Sequence, residues 1–178
     1  MKFLVSMLFC FFLVTAEADL VKMQWNENRQ LTWNDFQGEP NRGDDFVAST
    51  NSGISFSFSY QTRNGKMTMD YEVLCNFYPE LSWYKPDLVT PYILKHEQTH
   101  FDISELFARK LRKAMAETTF SNNPKEEVNA LYEVIEKARQ AMQNKYDEES
   151  EHSKNKTAEL QWREFVAQEL QAYDRWKS

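Results

Sequence analysis

Strict alternation of apolar and polar residues first appears at Ile54-Ser55-Phe56-Ser57-Phe58-Ser59-Tyr60, where every apolar side chain falls on one face of an extended chain. It returns at Met67, Met69, Tyr71, Val73 and Cys75, in a segment running on to Phe77. Asn64-Gly65 between the two runs is a strong hairpin-turn dipeptide. Residues 54–77 are therefore predicted to form one antiparallel hairpin with a half-buried face. Upstream, Gln30-Leu31-Thr32-Trp33 is a short apolar and β-branched segment that also reads as β structure. It ends at Asn34-Asp35, with Gly38-Glu39-Pro40 and a polar loop at residues 41–45 beyond.

Past residue 90 the apolar period changes to three and four. Thr90-Pro91 opens a helix, with Thr as N-cap and Pro in the first helical position. Its stripe runs Ile93, His96, His100, Ile103, Phe107, Leu111, Ala114. Asn122-Asn123-Pro124 breaks the chain and starts a second helix, with Glu126 spaced from Asn123 as in a capping box. That stripe is Val128, Leu131, Tyr132, Ile135, Ala138, Met142, Tyr146. A polar break over residues 148–156 precedes a third helix carrying Leu160, Trp162, Phe165, Val166, Leu170 and Tyr173. Strands followed by helices predict an α+β fold: a small antiparallel sheet, then three helices.

Composition narrows this picture. A chain of 178 residues, 42% hydrophobic, supplies one core and is short for two domains. Twenty-one basic residues against 27 acidic ones give a net charge of −6, with no Lys/Arg stripe interleaved with aromatics, so a nucleic-acid partner is not expected. At the N-terminus, Lys2, the apolar run Phe3 to Val14 and Ala16-Glu17-Ala18 form the three parts of a secretory signal peptide. Residues 1–18 are read as that leader, and residues 19–178 as the working domain. The apolar run is too short to cross a hydrocarbon layer roughly 30 Å thick. A secreted or periplasmic domain with no membrane span after cleavage is expected. Cys10 leaves with the leader, so Cys75 has no intramolecular disulfide partner; its apolar neighbours mark it as a buried thiol.

The candidate chemistry sits on the first helix. His96-Glu97-Gln98-Thr99-His100 spells H-E-x-x-H. Residues four apart on a helix lie about 40° apart around its axis, so both imidazoles can hold one Zn²⁺ ion. Glu97, about 100° from His96, stands beside such an ion, where a carboxylate can take a proton from a metal-bound water. A catalytic zinc usually has three protein ligands and one open position. Glu105 fails as the third ligand, because nine residues from His96 is about 900° of rotation. It is read instead as a surface ion pair with Arg109. His152 is the chain's one remaining histidine and a candidate ligand, as is a carboxylate near it. Asp147 and Glu149 either compete for that role or accept hydrogen bonds from the imidazoles. Asp102, off the metal face, is a candidate orienting group, and Tyr146 a candidate donor to an oxyanion.

Several segments together resemble one family. Leu31-Thr32-Trp33-Asn34-Asp35-Phe36-Gln37-Gly38 is similar to an L-T-W-x-D-F-x-G opening. His96 to Asp102 is similar to an H-E-Q-x-H-F-D motif, and Tyr146 to Ser153 to a later Y-D-x-E-T-x-H-G signature. These are motifs of the DUF922 family, catalogued as of unknown function and predicted to be secreted zinc-dependent proteases. Ser150 stands where the pattern has Thr, and Ser153 where it has Gly, a change in the loop that presents His152. The resemblance implies a zincin-like fold with His152 as third ligand.

The function expected is that of a zinc metallopeptidase: His96, His100 and His152 hold Zn²⁺, and Glu97 assists attack of a zinc-bound water on a peptide or protein substrate. Two alternatives stay open. One is an exported zinc-binding scaffold whose site is closed by a fourth protein ligand such as Glu149 or Asp147. The other is a zinc amidase acting on cell-wall peptides.

Overall fold

The computed structural model describes residues 20–40, 43, 46–64 and 66–178; the leader assigned to residues 1–18 lies outside them. The alternating segments form the expected hairpin, longer than the pattern alone indicates. Strand β3 (Ser52–Arg63) pairs antiparallel with β4 (Lys66–Phe77) in unbroken register from Ser52↔Phe77 to Arg63↔Lys66. Asn64 takes the left-handed conformation, φ 50°, that a tight hairpin turn requires. Strand β1 (Met23–Gln24) joins the other edge of β4, giving the order β1-β4-β3. A second, two-stranded antiparallel sheet is made by β2 (Ala48–Ser49) and β5 (Trp83–Tyr84).

The segment around Leu31 is not a strand. Trp33–Asp35 is a turn of 3-10 helix, because Asp35 Oδ2 captures the Thr32 N–H at 2.8 Å and the Thr32 hydroxyl at 2.9 Å. That local carboxylate competes successfully with any ladder partner. Leu31 and Phe36 flank the turn and both enter the core.

Three helices follow, as expected: α1 (Pro91–Glu117), α2 (Pro124–Ser150) and α3 (Lys156–Ala172). Thr90 caps α1 by accepting the Ile93 N–H at 3.3 Å. The capping box expected at α2 does not form. Asn123 makes no cap bond of its own; it bonds the Glu126 side chain, while Glu127 takes the Ser121 N–H. Helix α1 packs against β3, β4, α2 and α3 at once. It is therefore buried on several sides through its middle, from His96 to Met115, rather than along one stripe. Phe101, Ile103, Phe107, Leu111 and Met115 anchor it, with Val73, Cys75 and Phe77 of β4 in the same core cluster. Each such side chain contributes about 1.5–3 kcal/mol.

Two expectations for the later helices need correction. The break between α2 and α3 is only the turn at residues 151–155, since α2 continues to Ser150. On α3, Leu160 and Phe165 are exposed, while Glu159 is fully buried. The inward face runs Glu159, Trp162, Val166, one turn at a time. Among the described residues, no helix is long and apolar enough to cross a membrane.

Candidate metal centre and active-site cleft

A cleft of about 850 Å³ opens along the chain segment 46–52, α1 and the C-terminal half of α2. His96, Glu97 and His100 all line it. Helical spacing sets the two rings one turn apart, and their Nε2 atoms lie 3.2 Å from each other. Asp147, brought in by α2, completes the group: its Oδ1 is 3.0 Å from His100 Nε2 and 3.2 Å from His96 Nε2. Among the described residues, His96, His100 and Asp147 form the cluster whose ligand atoms converge closely enough to hold one metal ion. Zinc bonds of about 2.0–2.2 Å at tetrahedral angles set ligand atoms roughly 3.3–3.5 Å apart, close to these separations.

The other ring nitrogens are held from behind. His96 Nδ1 meets Glu159 Oε2 at 3.0 Å. Glu159 is fully buried and also accepts from the Tyr146 hydroxyl at 2.6 Å and from Arg163 Nε at 2.7 Å. His100 Nδ1 meets the Gln143 side-chain oxygen. Tyr146 packs against both rings, nearly stacked on His96 with centroids 4.6 Å apart. Each imidazole thus points one nitrogen at an acceptor behind it and the other at the shared point in front.

The electrostatics follow from this crowding. Burial lowers the proton affinity of His96, but its hydrogen bonds to Asp147 and Glu159 outweigh that and lift its pKa to about 9. Burial works to raise Asp147, yet the imidazoles of His100 and His96 hold its carboxyl well below the usual range. Glu159 is likewise held low against its burial by His96, Tyr146 and Arg163. Burial, with Glu159 alongside, pushes the Tyr146 phenol far up, so it keeps its proton and donates it to Glu159. Three carboxylates (Glu97, Asp147, Glu159) gather around the imidazoles, and one of them, Glu159, is paired with the Arg163 guanidinium.

The remaining predicted residues divide. His152 lines the cleft with Nδ1 3.5 Å from Asp147 Oδ1, and its ring rests on Phe46 with centroids 4.6 Å apart. It lies next to the convergent cluster, outside its tight core. Its backbone is unusual: Glu151, His152 and Ser153 all have positive φ, at 49°, 50° and 70°. Left-handed conformation in three successive non-glycine residues costs about 1–2 kcal/mol each. Asp102 is half-buried and outside the cleft lining, accepting from Trp25 Nε1 at 2.7 Å and Gln98 Nε2 at 2.8 Å. Glu149 accepts from Trp162 Nε1 at 2.8 Å. Tyr146 is wholly buried behind the imidazoles, with its hydroxyl spent on Glu159, so it does not reach an oxyanion in the cleft.

The family model for DUF922, a bacterial protein of unknown function, matches residues 80–153. The DUF922 match takes in all of α1, all of α2 and the left-handed turn with His152. It therefore covers two of the three motif segments recognised in the sequence; Leu31 to Gly38 lies outside it. Its description carries no activity. No curated protein and no solved structure matches the chain.

Two site residues escaped the sequence reading. Gln143 lies inside the DUF922 window, one turn before Asp147 on α2, and its helical phase was the available signal. Glu159 lies beyond that window. It shares the inward face of α3 with Trp162 and Val166, a face obscured by Leu160 and Phe165.

Proposed function

We propose that this chain is an exported zinc-dependent metallohydrolase that cleaves peptide bonds. The observation that carries the reading is the convergence of His96 Nε2, His100 Nε2 and Asp147 Oδ1 within 3.0–3.2 Å of one another, in the cleft that Glu97 also lines. Two imidazole lone pairs and a carboxylate facing one point repel each other unless a cation or a proton lies among them. The donor set, two nitrogens and one oxygen, suits zinc. His96, His100 and Asp147 would hold the ion. Asp147 is preferred to His152 as third ligand because its oxygen, not the His152 ring, is within reach of both Nε2 atoms.

A bound Zn²⁺ supplies Lewis acidity, which acidifies water and polarises a carbonyl. The rest of the chemistry belongs to the chain's own residues. Among the described residues, the Glu97 carboxylate has no hydrogen-bond or ion-pair partner, although the residue is only 4% exposed. A carboxylate left free in a cleft is available to take a proton from an attacking water and pass it to a leaving amine. Glu159, Tyr146 and Gln143 keep the two imidazoles in place meanwhile. The leader pattern of residues 1–18 supports export.

One observation favours a second reading. The His152 ring is near enough to Asp147 to close the site as a fourth ligand after a small movement, which would make the domain a zinc-bound scaffold. Turnover of a peptide library that includes cell-wall peptides decides between them. The wild type is expected to cleave, and Glu97→Gln to keep its zinc while losing about 10²–10⁴-fold in rate. Equal turnover by both sinks the assignment of Glu97 as base. A zinc-loaded wild type that cleaves nothing, and loses its zinc in His152→Ala, supports the scaffold.

A further inference from the structure

Resting on the metal reading above, we infer that Gln143 is a positioning residue that fixes which nitrogen of His100 faces the metal. The argument is one of donors and acceptors. Gln143 Nε2 lies 2.8 Å from the His100 backbone carbonyl oxygen and 3.3 Å from Ser104 Oγ. A carbonyl oxygen only accepts, so the atom facing it is the amide nitrogen, and the side chain cannot turn over without losing that bond. Its carbonyl oxygen is thereby aimed at His100 Nδ1. An amide oxygen only accepts, so Nδ1 carries the proton. The lone pair of the neutral ring then sits on Nε2, toward Asp147 and His96.

The amide is itself held. Ser104 is fully buried. Its hydroxyl also receives Arg139 Nη1 at 3.2 Å and meets Ser52 Oγ at 2.8 Å. With both lone pairs taken by Gln143 and Arg139, Ser104 gives its single proton to Ser52. Arg139 is pinned in turn by two bonds to Glu136, at 2.8 and 2.6 Å. The amide orientation is thus set by α1, α2 and β3 together. The two metal-facing histidines are supported unequally: His96 by a buried carboxylate, His100 by a neutral amide. A second carboxylate in place of Gln143 would add negative charge to a site already holding three. The amide supplies the same acceptor without it.

The test uses the full domain, metal-free and titrated with Zn²⁺ alone. Long-range proton–nitrogen correlation spectra assign the tautomer of each histidine without reference to activity. In the wild type, His100 Nδ1 is expected to carry a proton whether or not zinc is present, with Nε2 left bare for the ion in the zinc-loaded chain. In Gln143→Met, which keeps the side-chain length but neither bond, the tautomers mix and zinc affinity falls about 10–100-fold. Gln143→Glu, which retains an acceptor but no donor for the His100 carbonyl, restores the proton on Nδ1 and part of the affinity. An Nε2–H tautomer in the wild type overturns the inference, as does a Gln143→Met chain with unchanged tautomer and affinity. If no version binds zinc, the metal reading fails, while the tautomer in the metal-free chain still decides the role of Gln143.

Discussion

Helix α1 carries two buried polar clusters barely two turns apart, and they solve opposite problems. Toward its C-terminal end, Glu105 receives Arg109 Nε at 2.9 Å and Arg112 Nη1 at 3.1 Å. Further guanidinium donors go to backbone carbonyls, Arg112 to Val73 and Trp176 and Arg109 to Leu170, and Arg109 also pairs with Asp174 at 3.6 Å. Every charge finds a partner inside the protein. The cluster ties α1 to β4, to α3 and to the short 3-10 turn Asp174–Trp176. Toward the N-terminal end, His96 Nε2, His100 Nε2 and Asp147 Oδ1 converge with no lysine or arginine among them. One cluster closes on itself, and the other has room for a cation. Burial of charge alone therefore does not mark a functional site. What marks it is an excess of acceptors converging on a shared point that opens to a cleft.

The comparison breaks most readily at the closed cluster. Arg112→Met keeps much of the apolar stem but removes both donors to the Val73 carbonyl and leaves Glu105 with Arg109 alone, at a cost of about 3–5 kcal/mol. Denaturant unfolding should show that loss, while zinc stoichiometry of the folded fraction stays at one per chain. A loss of zinc without a loss of stability would reverse the roles given to the two clusters. Next in size is the stabilisation by metal. At a free zinc concentration about 100 times Kd, the wild type should gain about 2.7 kcal/mol. His100→Ala should gain almost nothing, and an equal gain would place the metal elsewhere.

Smaller effects sharpen the comparison. Glu159→Gln keeps an acceptor oxygen for His96 but removes its charge; zinc affinity by competition with a chelator should fall about 10–100-fold. The pH response comes last. In the metal-free chain the pKa of His96 is raised from 6.5 to about 9. Its stabilising contribution is then fully present below about pH 6.5 and lost as the pH rises through about 9. Zinc requires the proton-free ring, so its affinity strengthens across the same window. The gap in Tm between zinc-loaded and metal-free protein should widen with pH there. A gap that narrows would contradict the placement of His96 in the site.

Much of this was legible in the residues themselves. The H-E-x-x-H spacing, the Thr90-Pro91 helix start and the alternation on both sides of Asn64-Gly65 are local signals, and the structure carries each element. Tertiary partners were harder. Asp147 is in the sequence reading only as one of several acids near His152, because its aim depends on how α2 crosses α1. Glu159 reads as a solvent-facing helix residue until α3 is packed down. Glu105 and Arg109 look like a surface pair worth a few tenths of a kcal/mol, since the apolar stripe of α1 lies on its other side. The structure buries them, because the sheet and α3 cover that side too. The Leu31 segment failed for a local reason, the Asp35 carboxylate bonding back to Thr32.

The central claim is that His96, His100 and Asp147 are the ligands of a zinc ion that stays open to the cleft. Anomalous diffraction at the zinc edge from crystals of the zinc-loaded domain tests it most directly. The account predicts one zinc per chain, bonded to Nε2 of both histidines and to Asp147, with a solvent molecule on the cleft side. An ion held by a different set of residues, or one enclosed by four protein ligands including His152, would contradict it.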